Sequence, residues 1–146
     1  MKTTRSVAPI AGLLFLGGGV VSLPTDATAH DTAPGETVTE AANEPIPNLP
    51  GKQLISLVVD YAPGASSAAH HHAGSAFIYA YVISGAVRSQ VDDEPARIYK
   101  AGEAWFEKPG AHHKVSANAS DTEPARLLAV FIVDEADKRL VAPDAK

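Results

Sequence analysis

Five of the six histidines fall into two short groups, residues 70–72 and 112–113. Along an extended strand alternate side chains share a face, so His70 and His72 are expected to point one way and His71 the opposite way. The Cα atoms of such a pair lie about 6–7 Å apart, which suits neighbouring positions around one metal ion. Three consecutive histidines are equally compatible with an exposed polar tract, so this group alone does not establish a metal site.

The second group adds a third imidazole. His113 follows a Pro109-Gly110 turn about forty residues after His72, and hairpins of a barrel can bring such a residue back beside the first pair. Three neutral imidazoles around a divalent ion leave two or three coordination positions open for a substrate or dioxygen. We therefore predict that His70, His72 and His113 bind one metal ion. His112 is expected to face away from it, at the rim.

Glu107 is the carboxylate of interest, and it lies six residues before His113. It is either a solvated residue at a strand end, a partner that orients a histidine, a base near the metal, or a direct fourth ligand. The sequence leaves these four roles open. Glu107 is our candidate catalytic residue.

The elements that must position these side chains are short strands. From residue 52 onward, runs of branched and aromatic residues alternate with turn signals such as Pro-Gly and Ser-Gly. No segment has a sustained helical period, apart from a doubtful helical turn at 135–139. Many short strands at a spacing of roughly ten residues indicate an all-β sandwich or barrel in a single domain. The predicted strands are 54–61, 77–83, 86–91, 97–99, 104–106 and 126–133.

The segments on either side of this barrel are predicted to be less regular. Residues 30–51 are rich in Thr, Glu, Ala and Pro, which predicts a flexible leader whose end is a candidate edge strand. The barrel is predicted to span residues 52–134, and residues 135–146 to form a C-terminal tail. The leader strand and the sheet edges make a homodimer plausible.

The first 29 residues have the pattern of a secretory signal peptide. Lys2 and Arg5 precede an apolar stretch at 7–23, and Ala27-Thr28-Ala29 is the small-x-small pattern that signal peptidase accepts. Cleavage is predicted before His30. The alternative is an uncleaved membrane anchor, against which Pro9 and the shortness of the apolar stretch both argue. The cleaved protein is expected in the periplasm or outside the cell, without a membrane association.

Composition excludes several classes of function. The chain of 146 residues has a net charge of −5 and no cysteine. Without clustered Lys and Arg, nucleic acid is not an expected partner. Without cysteine, disulfides, thiolate metal ligands and a cysteine nucleophile are excluded. The expected partner is a small molecule.

The two histidine groups lie within motifs that resemble those of the cupin family. In the first, five residues separate a glycine from His-x-His and a later glycine closes the motif. In the second, a glycine precedes Pro-Gly, a histidine and an asparagine. Two departures are minor, because Lys108 occupies the usual proline position and Asn118 falls one residue late. The residues that carry the resemblance are Gly64, His70, His72, Gly85, Gly102, Pro109, Gly110, His113 and Asn118.

This resemblance spans about residues 54–133 and implies a double-stranded β-helix, or jelly-roll, barrel around one divalent metal ion. A third departure is larger. Cupins commonly supply a glutamate ligand four or five residues after the second histidine, and residues 73–78 contain no carboxylate, amide or imidazole. In this respect the chain resembles cysteine dioxygenase and the diketone-cleaving dioxygenases among cupins.

The resemblance therefore implies a metal-dependent enzyme, dioxygenase-like, acting on a small oxygen-rich molecule. Fe(II) is the favoured metal, with Mn(II), Zn(II), Ni(II) and Cu(II) as alternatives, since affinity alone does not select iron. Two other functions stay open. One is a non-catalytic periplasmic binding module for a metal or small ligand, and the other is a metal-dependent isomerase or lyase acting on a sugar acid.

Overall fold

The structure is a computed structural model that describes residues 32–145. The predicted signal peptide and its cleavage point before His30 lie outside the described residues. Within 32–145 the chain forms ten β-strands and no helix. None of these residues forms a helix long and apolar enough to span a membrane. The strands are β1 Glu36–Pro45, β2 Lys52–Tyr61, β3 His70–His72, β4 Phe77–Ser84, β5 Ala86–Val91, β6 Arg97–Lys100, β7 Ala104–Glu107, β8 His112–Asn118, β9 Ala125–Asp134 and β10 Val141–Pro143.

The strands form two five-stranded antiparallel sheets. One has the order β1-β2-β9-β4-β7 and the other the order β10-β3-β8-β5-β6. Apart from the paired neighbours β1–β2 and β5–β6, successive strands alternate between the sheets in the manner of a double-stranded β-helix, which confirms the predicted all-β jelly roll. Each of the six predicted strands corresponds to one strand of the structure.

The inner faces of the sheets form the core, following the period of two along each strand. In β4, Ile78, Ala80 and Val82 are almost fully buried, whereas Phe77 and Ile83 are exposed. The same alternation in β9 buries Leu127, Phe131 and Val133. These inward side chains surround a central cavity rather than filling the barrel completely.

The prediction of a flexible leader for residues 30–51 is wrong for residues 36–45, which form strand β1. Glu36–Pro45 pairs with β2 along its whole length, with one irregularity near Glu40. Val38 packs against both apolar clusters of the core. The sequence was misread because a strand with one half-buried face and many Thr and Glu residues has the composition of a solvated linker.

The C-terminal tail predicted for residues 135–146 also contains ordered structure. Leu140 is 5% exposed and belongs to the core. Val141–Pro143 forms β10, which pairs with β3 in the register Val141 to His72 and Pro143 to His70. The doubtful helical turn at 135–139 is a hydrogen-bonded turn, closed by the Asp137 amide donating to the Asp134 carbonyl. Strands β1 and β10 therefore complete the two sheets.

The packing of β1 gives a first test. Replacing Val38 by Ala removes two methyl groups from the core, and we expect the free energy of unfolding to fall by about 1–2 kcal/mol. Thr39 is exposed on the opposite face of the same strand, so Thr39→Ala is the matched control and should change stability by less than about 0.5 kcal/mol. Urea denaturation followed by tryptophan fluorescence measures both. Equal, small effects of the two substitutions would mean that residues 36–45 do not pack on the barrel.

Candidate metal centre

Strands β3 and β8 bring the three predicted ligands together. His70 and His113 are directly opposite in the register of the two strands, and His72 lies two residues further along β3. The three side chains are 8%, 9% and 4% exposed, for His70, His72 and His113 respectively. One ring nitrogen from each lies within 4.8 Å of the others. His71 is exposed and points outward, as expected from strand alternation.

Two of the three rings are oriented by hydrogen bonds on the side away from this cluster. The Nδ1 of His70 lies 2.7 Å from the Ala68 carbonyl oxygen, and because a carbonyl only accepts, Nδ1 carries the hydrogen and Nε2 keeps a free lone pair. The Nε2 of His113 lies 2.9 Å from the Ser89 hydroxyl, which leaves its Nδ1 facing the cluster. Such partners fix the tautomer and the orientation of ligating histidines.

Glu107 is not a solvated strand-end residue, since it is only 2% exposed. It lies on β7 directly opposite Ile78 of β4. Its Oε1 accepts a hydrogen bond of 3.0 Å from Trp105 Nε1 and lies 3.4 Å from His113 Nδ1. Its Oε2 lies 2.9 Å from His72 Nε2. A carboxylate therefore stands beside the histidines although residues 73–78 supply none.

The donor atoms of this cluster fit a divalent cation. Within the described residues, both ring nitrogens of His72 and the Oε2 of Glu107 are buried without a hydrogen-bond partner. His72 Nε2 and Glu107 Oε2 lie 2.9 Å apart without the angle that a hydrogen bond needs. Two ligands at right angles around one metal, each about 2.1 Å from it, lie about 3.0 Å apart. The separation matches a pair of ligands that share an ion.

Burial keeps the cluster in the protonation state that metal binding requires. Desolvation lowers the pKa of His113 to about 4, although the nearby Glu107 carboxylate opposes the shift. Desolvation also lowers the pKa of His70. Burial by itself would raise the pKa of Glu107, but the contacts with His72, His113 and Trp105 outweigh it and lower that pKa. At neutral pH, His70 and His113 are neutral bases and Glu107 is an anion.

The cluster borders a cavity of about 90 Å³. Most of its wall is apolar, formed by inward side chains of β2, β4 and β9 such as Leu57, Ile78 and Phe131. Phe131 also contacts the edge of the His72 ring, with ring centroids 5.6 Å apart. A ligand in this cavity would meet the histidines and Glu107 on one side and hydrocarbon over most of the remaining wall.

A second part of the cavity wall is polar, and no sequence motif predicts it. Glu36 of β1 accepts a short hydrogen bond of 2.5 Å from the Ser67 hydroxyl, and Ser67 lies 2.6 Å from the Tyr61 hydroxyl. Tyr61 in turn lies 2.8 Å from Ser116. Burial raises the pKa of Tyr61 to about 12, so its hydroxyl keeps its proton. Glu36 was missed because it lies in the segment interpreted as a leader, and the hydroxyl groups have no motif.

Metal binding by this centre should stabilise the folded protein. A divalent ion at 100 times its Kd contributes about 2.7 kcal/mol, because it binds the folded state alone. We expect Fe(II), added under nitrogen to metal-free protein, to raise Tm by several degrees, and His72→Ala and His113→Ala to abolish most of this rise. Arg88 is exposed on β5, and Arg88→Ala should retain it. A metal-induced rise that is the same in all four proteins would exclude this centre as the binding site.

The metal-free protein should lose stability in mildly acidic solution. A histidine of the unfolded chain takes up its proton near pH 6.5 and buried His113 near pH 4, so the unfolded state binds more protons between these values. The free energy of unfolding should therefore fall as the pH drops through this window, by at most about 3 kcal/mol. Urea denaturation in EDTA at several pH values measures the slope. We expect a shallower slope for His113→Asn, and equal slopes would contradict the assignment to His113.

Comparisons with known proteins agree with this architecture. The family model described as the cupin domain (Cupin_2) matches residues 57–131. No curated protein sequence gives a significant match. An uncharacterized conserved protein from Klebsiella pneumoniae with a double-stranded beta-helix domain is similar at a TM-score of 0.60 and 20% identity, over 80% of this chain and 90% of that one. KdgF from Halomonas sp. is similar at a TM-score of 0.57 and 21% identity, over 75% of this chain and 89% of that one.

Oxalate oxidase in complex with the substrate analogue glycolate is similar at a TM-score of 0.55 and 23% identity. The match covers 74% of this chain and 56% of the oxidase, so the chain spans about half of that protein. At these identities the likeness establishes the fold alone. The family model covers about half of the 146 residues and includes both histidine groups, and the structure folds them into one barrel: the chain belongs to the cupin family.

Proposed function

We propose that this protein is a metal-dependent enzyme with dioxygenase-like chemistry, using Fe(II) and acting on a small oxygen-rich molecule. The observation that carries the proposal is the convergence of three buried imidazoles and the Glu107 carboxylate on the wall of a mostly apolar cavity. A purely structural metal needs no cavity beside it. Here the ligand atoms and the space for a substrate adjoin each other.

His70, His72 and His113 would hold the metal, with Glu107 as the fourth protein ligand. A set of imidazoles and one carboxylate with open positions is typical of non-haem iron sites. Bound there, the metal would supply Lewis acidity and one-electron chemistry to a chelated substrate. The absence of a carboxylate from residues 73–78 therefore does not leave the proposed site without an anionic ligand. Glu107 replaces the missing ligand from the neighbouring strand, where it stands opposite Ile78.

The two carboxylate oxygens of Glu107 have different surroundings, and this difference determines which of them can bind a metal or accept a proton. Oε1 is held by the indole N–H of Trp105, whereas Oε2 has no hydrogen-bond donor among the described residues. Oε2 is therefore the atom that is free to bind the metal or to accept a proton from a substrate hydroxyl or enol. Because the carboxyl group has a lowered pKa, it is ionised at neutral pH, as either role requires.

The cavity gives a guide to the size of the substrate. Its volume of about 90 Å³ holds roughly six water molecules, so a small diketone or a short hydroxy or keto acid fits this space. The apolar wall favours a short hydrocarbon part, and the Glu36, Ser67 and Tyr61 group favours a substrate hydroxyl at that position.

We further propose that the enzyme is exported and acts in the periplasm or outside the cell. The support is the basic start, the apolar stretch at 7–23 and the Ala27-Thr28-Ala29 pattern. In that compartment Zn(II), Mn(II) and Cu(II) compete with iron, and imidazole ligands accept all of them. The oxygen-uptake test therefore compares protein samples that are loaded with different metals.

Oxygen consumption tests the proposed reaction. Untagged metal-free protein is loaded with Fe(II) under nitrogen, and small diketones, small thiols and a flavonol are offered in an oxygen electrode. We expect uptake with at least one of these compounds. Glu107→Gln should lower kcat by about 100-fold or more, and Arg88→Ala should match the wild type. Loading with Mn(II), Zn(II), Ni(II) or Cu(II) in parallel identifies the active metal.

The contrary outcomes are distinct. Absence of oxygen uptake by every metal-loaded form would reject dioxygenase chemistry. Saturable binding of the same small molecules without turnover would then indicate the non-catalytic binding module. Conversion of a sugar acid without oxygen consumption, detected by product analysis, would indicate an isomerase or lyase.

A further inference from the structure

A second group of metal-binding side chains lies on the outer face of the sheet that carries the buried centre. His71 of β3 and His112 of β8 are directly opposite in register, and their rings stack with centroids 4.1 Å apart at an angle of 15°. Asp144, just after β10, lies 2.9 Å from His112 Nε2 and 3.9 Å from His71 Nε2 through its two carboxylate oxygens. One ligand atom from each residue lies within 4.8 Å of the others.

We propose that His71, His112 and Asp144 form an outer site for a borderline divalent transition ion, with Zn(II) as the best match. Two imidazoles and one carboxylate are ligands that Zn(II) takes readily, with water completing a tetrahedron. Mg(II) and Ca(II) prefer sites built from oxygen ligands, so they do not suit two imidazoles. His71 is exposed and His112 half-buried, and the ring torsions of histidine are soft, so a small tilt lets both nitrogens face one ion.

The site does not depend on the buried centre. Alternation along β3 and β8 sends His71 and His112 to the opposite face of the sheet from His70, His72 and His113. The two clusters therefore share strands but no ligand atoms. Neighbouring carboxylates do not compete for the outer ion, because Asp92 accepts the His112 backbone amide and Asp93 pairs with Lys114.

An ion bound there would fasten the C-terminal strand to the barrel. β10 has only three residues and is an outermost strand of its sheet, and its link to the neighbouring segment continues through the Asp144 amide, which donates to the Ala69 carbonyl. Val141 and Pro143 of β10 contribute to the cavity wall. Occupancy of the outer site would thus hold one wall of the cavity in place.

Metal stoichiometry tests the outer site. Untagged, metal-free protein is dialysed against Zn(II), and bound zinc is counted for the wild type, His71→Ala, Asp144→Ala and the matched control Asp93→Ala, a carboxylate on a neighbouring turn. We expect two ions per chain in the wild type and the control, and one in His71→Ala and Asp144→Ala. All the substituted side chains are solvent-accessible, so the variants should keep the wild-type circular dichroism spectrum.

If the buried centre does not bind zinc, the numbers of ions bound by the variants differ from those above and still test the outer site. If that centre bound no zinc, the wild type would bind one ion and His71→Ala none, and the outer site would still be supported. His72→Ala, which removes a buried ligand, should in either case keep the ion that His71→Ala loses. Wild-type stoichiometry in both His71→Ala and Asp144→Ala would overturn the proposal and leave Asp144 as an ion-pair partner of His112.

Hydrogen exchange tests whether an ion in the outer site stabilises the pairing of β10 with the barrel. Saturating Zn(II) should slow exchange of the backbone amides of β10 at least tenfold in the wild type and in Asp93→Ala. In Asp144→Ala the same addition should leave their exchange rate unchanged. Equal protection in all three proteins would overturn this part of the proposal.

Discussion

The structure depends on how four polar groups are held inside an apolar barrel. Taking a carboxylate and three imidazoles out of water costs several kcal/mol unless each finds a partner. Trp105, Ser89 and the Ala68 carbonyl satisfy the outward sides of Glu107, His113 and His70. The inward atoms of His72 and Glu107 have no hydrogen-bond partner within residues 32–145. A divalent cation bound between His72 and Glu107 would give both groups a partner, and its binding would then be coupled to folding.

The register between β3 and β8 decides which histidines face the cavity. His70 pairs with His113 and His71 with His112, and a slip of one residue on either strand would exchange the inner and outer sets. The Pro109-Gly110 turn helps to fix this register, since Gly110 has a φ of 73°, a left-handed conformation that glycine adopts at little cost. Alternation along β3 and β8 thus places one set of histidines in the buried candidate metal centre and the other set on the outer face of the sheet.

Local patterns were sufficient for much of this structure. The period of two predicted that His70 and His72 share a face, and the cupin-like spacing predicted that His113 joins them. The sequence makes Glu107 a candidate but leaves its role open, because its position opposite Ile78 is set by pairing between β4 and β7. Nothing in residues 73–78 reveals that the neighbouring strand supplies the carboxylate. The strand Glu36–Pro45 was read as a leader for a similar reason, since its order comes from pairing with β2 rather than from its own composition.

The outermost strands β1 and β10 supply cavity-lining side chains that are separate from the buried centre. Residues 57–131, which match the family model, contain all four groups of the buried centre. Glu36 and Val38 of β1, with Val141 and Pro143 of β10, lie outside that stretch and still form part of the cavity wall. β1 and β10 each pair with one neighbouring strand and contribute no group to the buried centre, so their cavity-facing side chains can change without altering that centre. Selection among substrates of similar chelating chemistry should therefore reside in β1 and β10, apart from the residues that bind the metal.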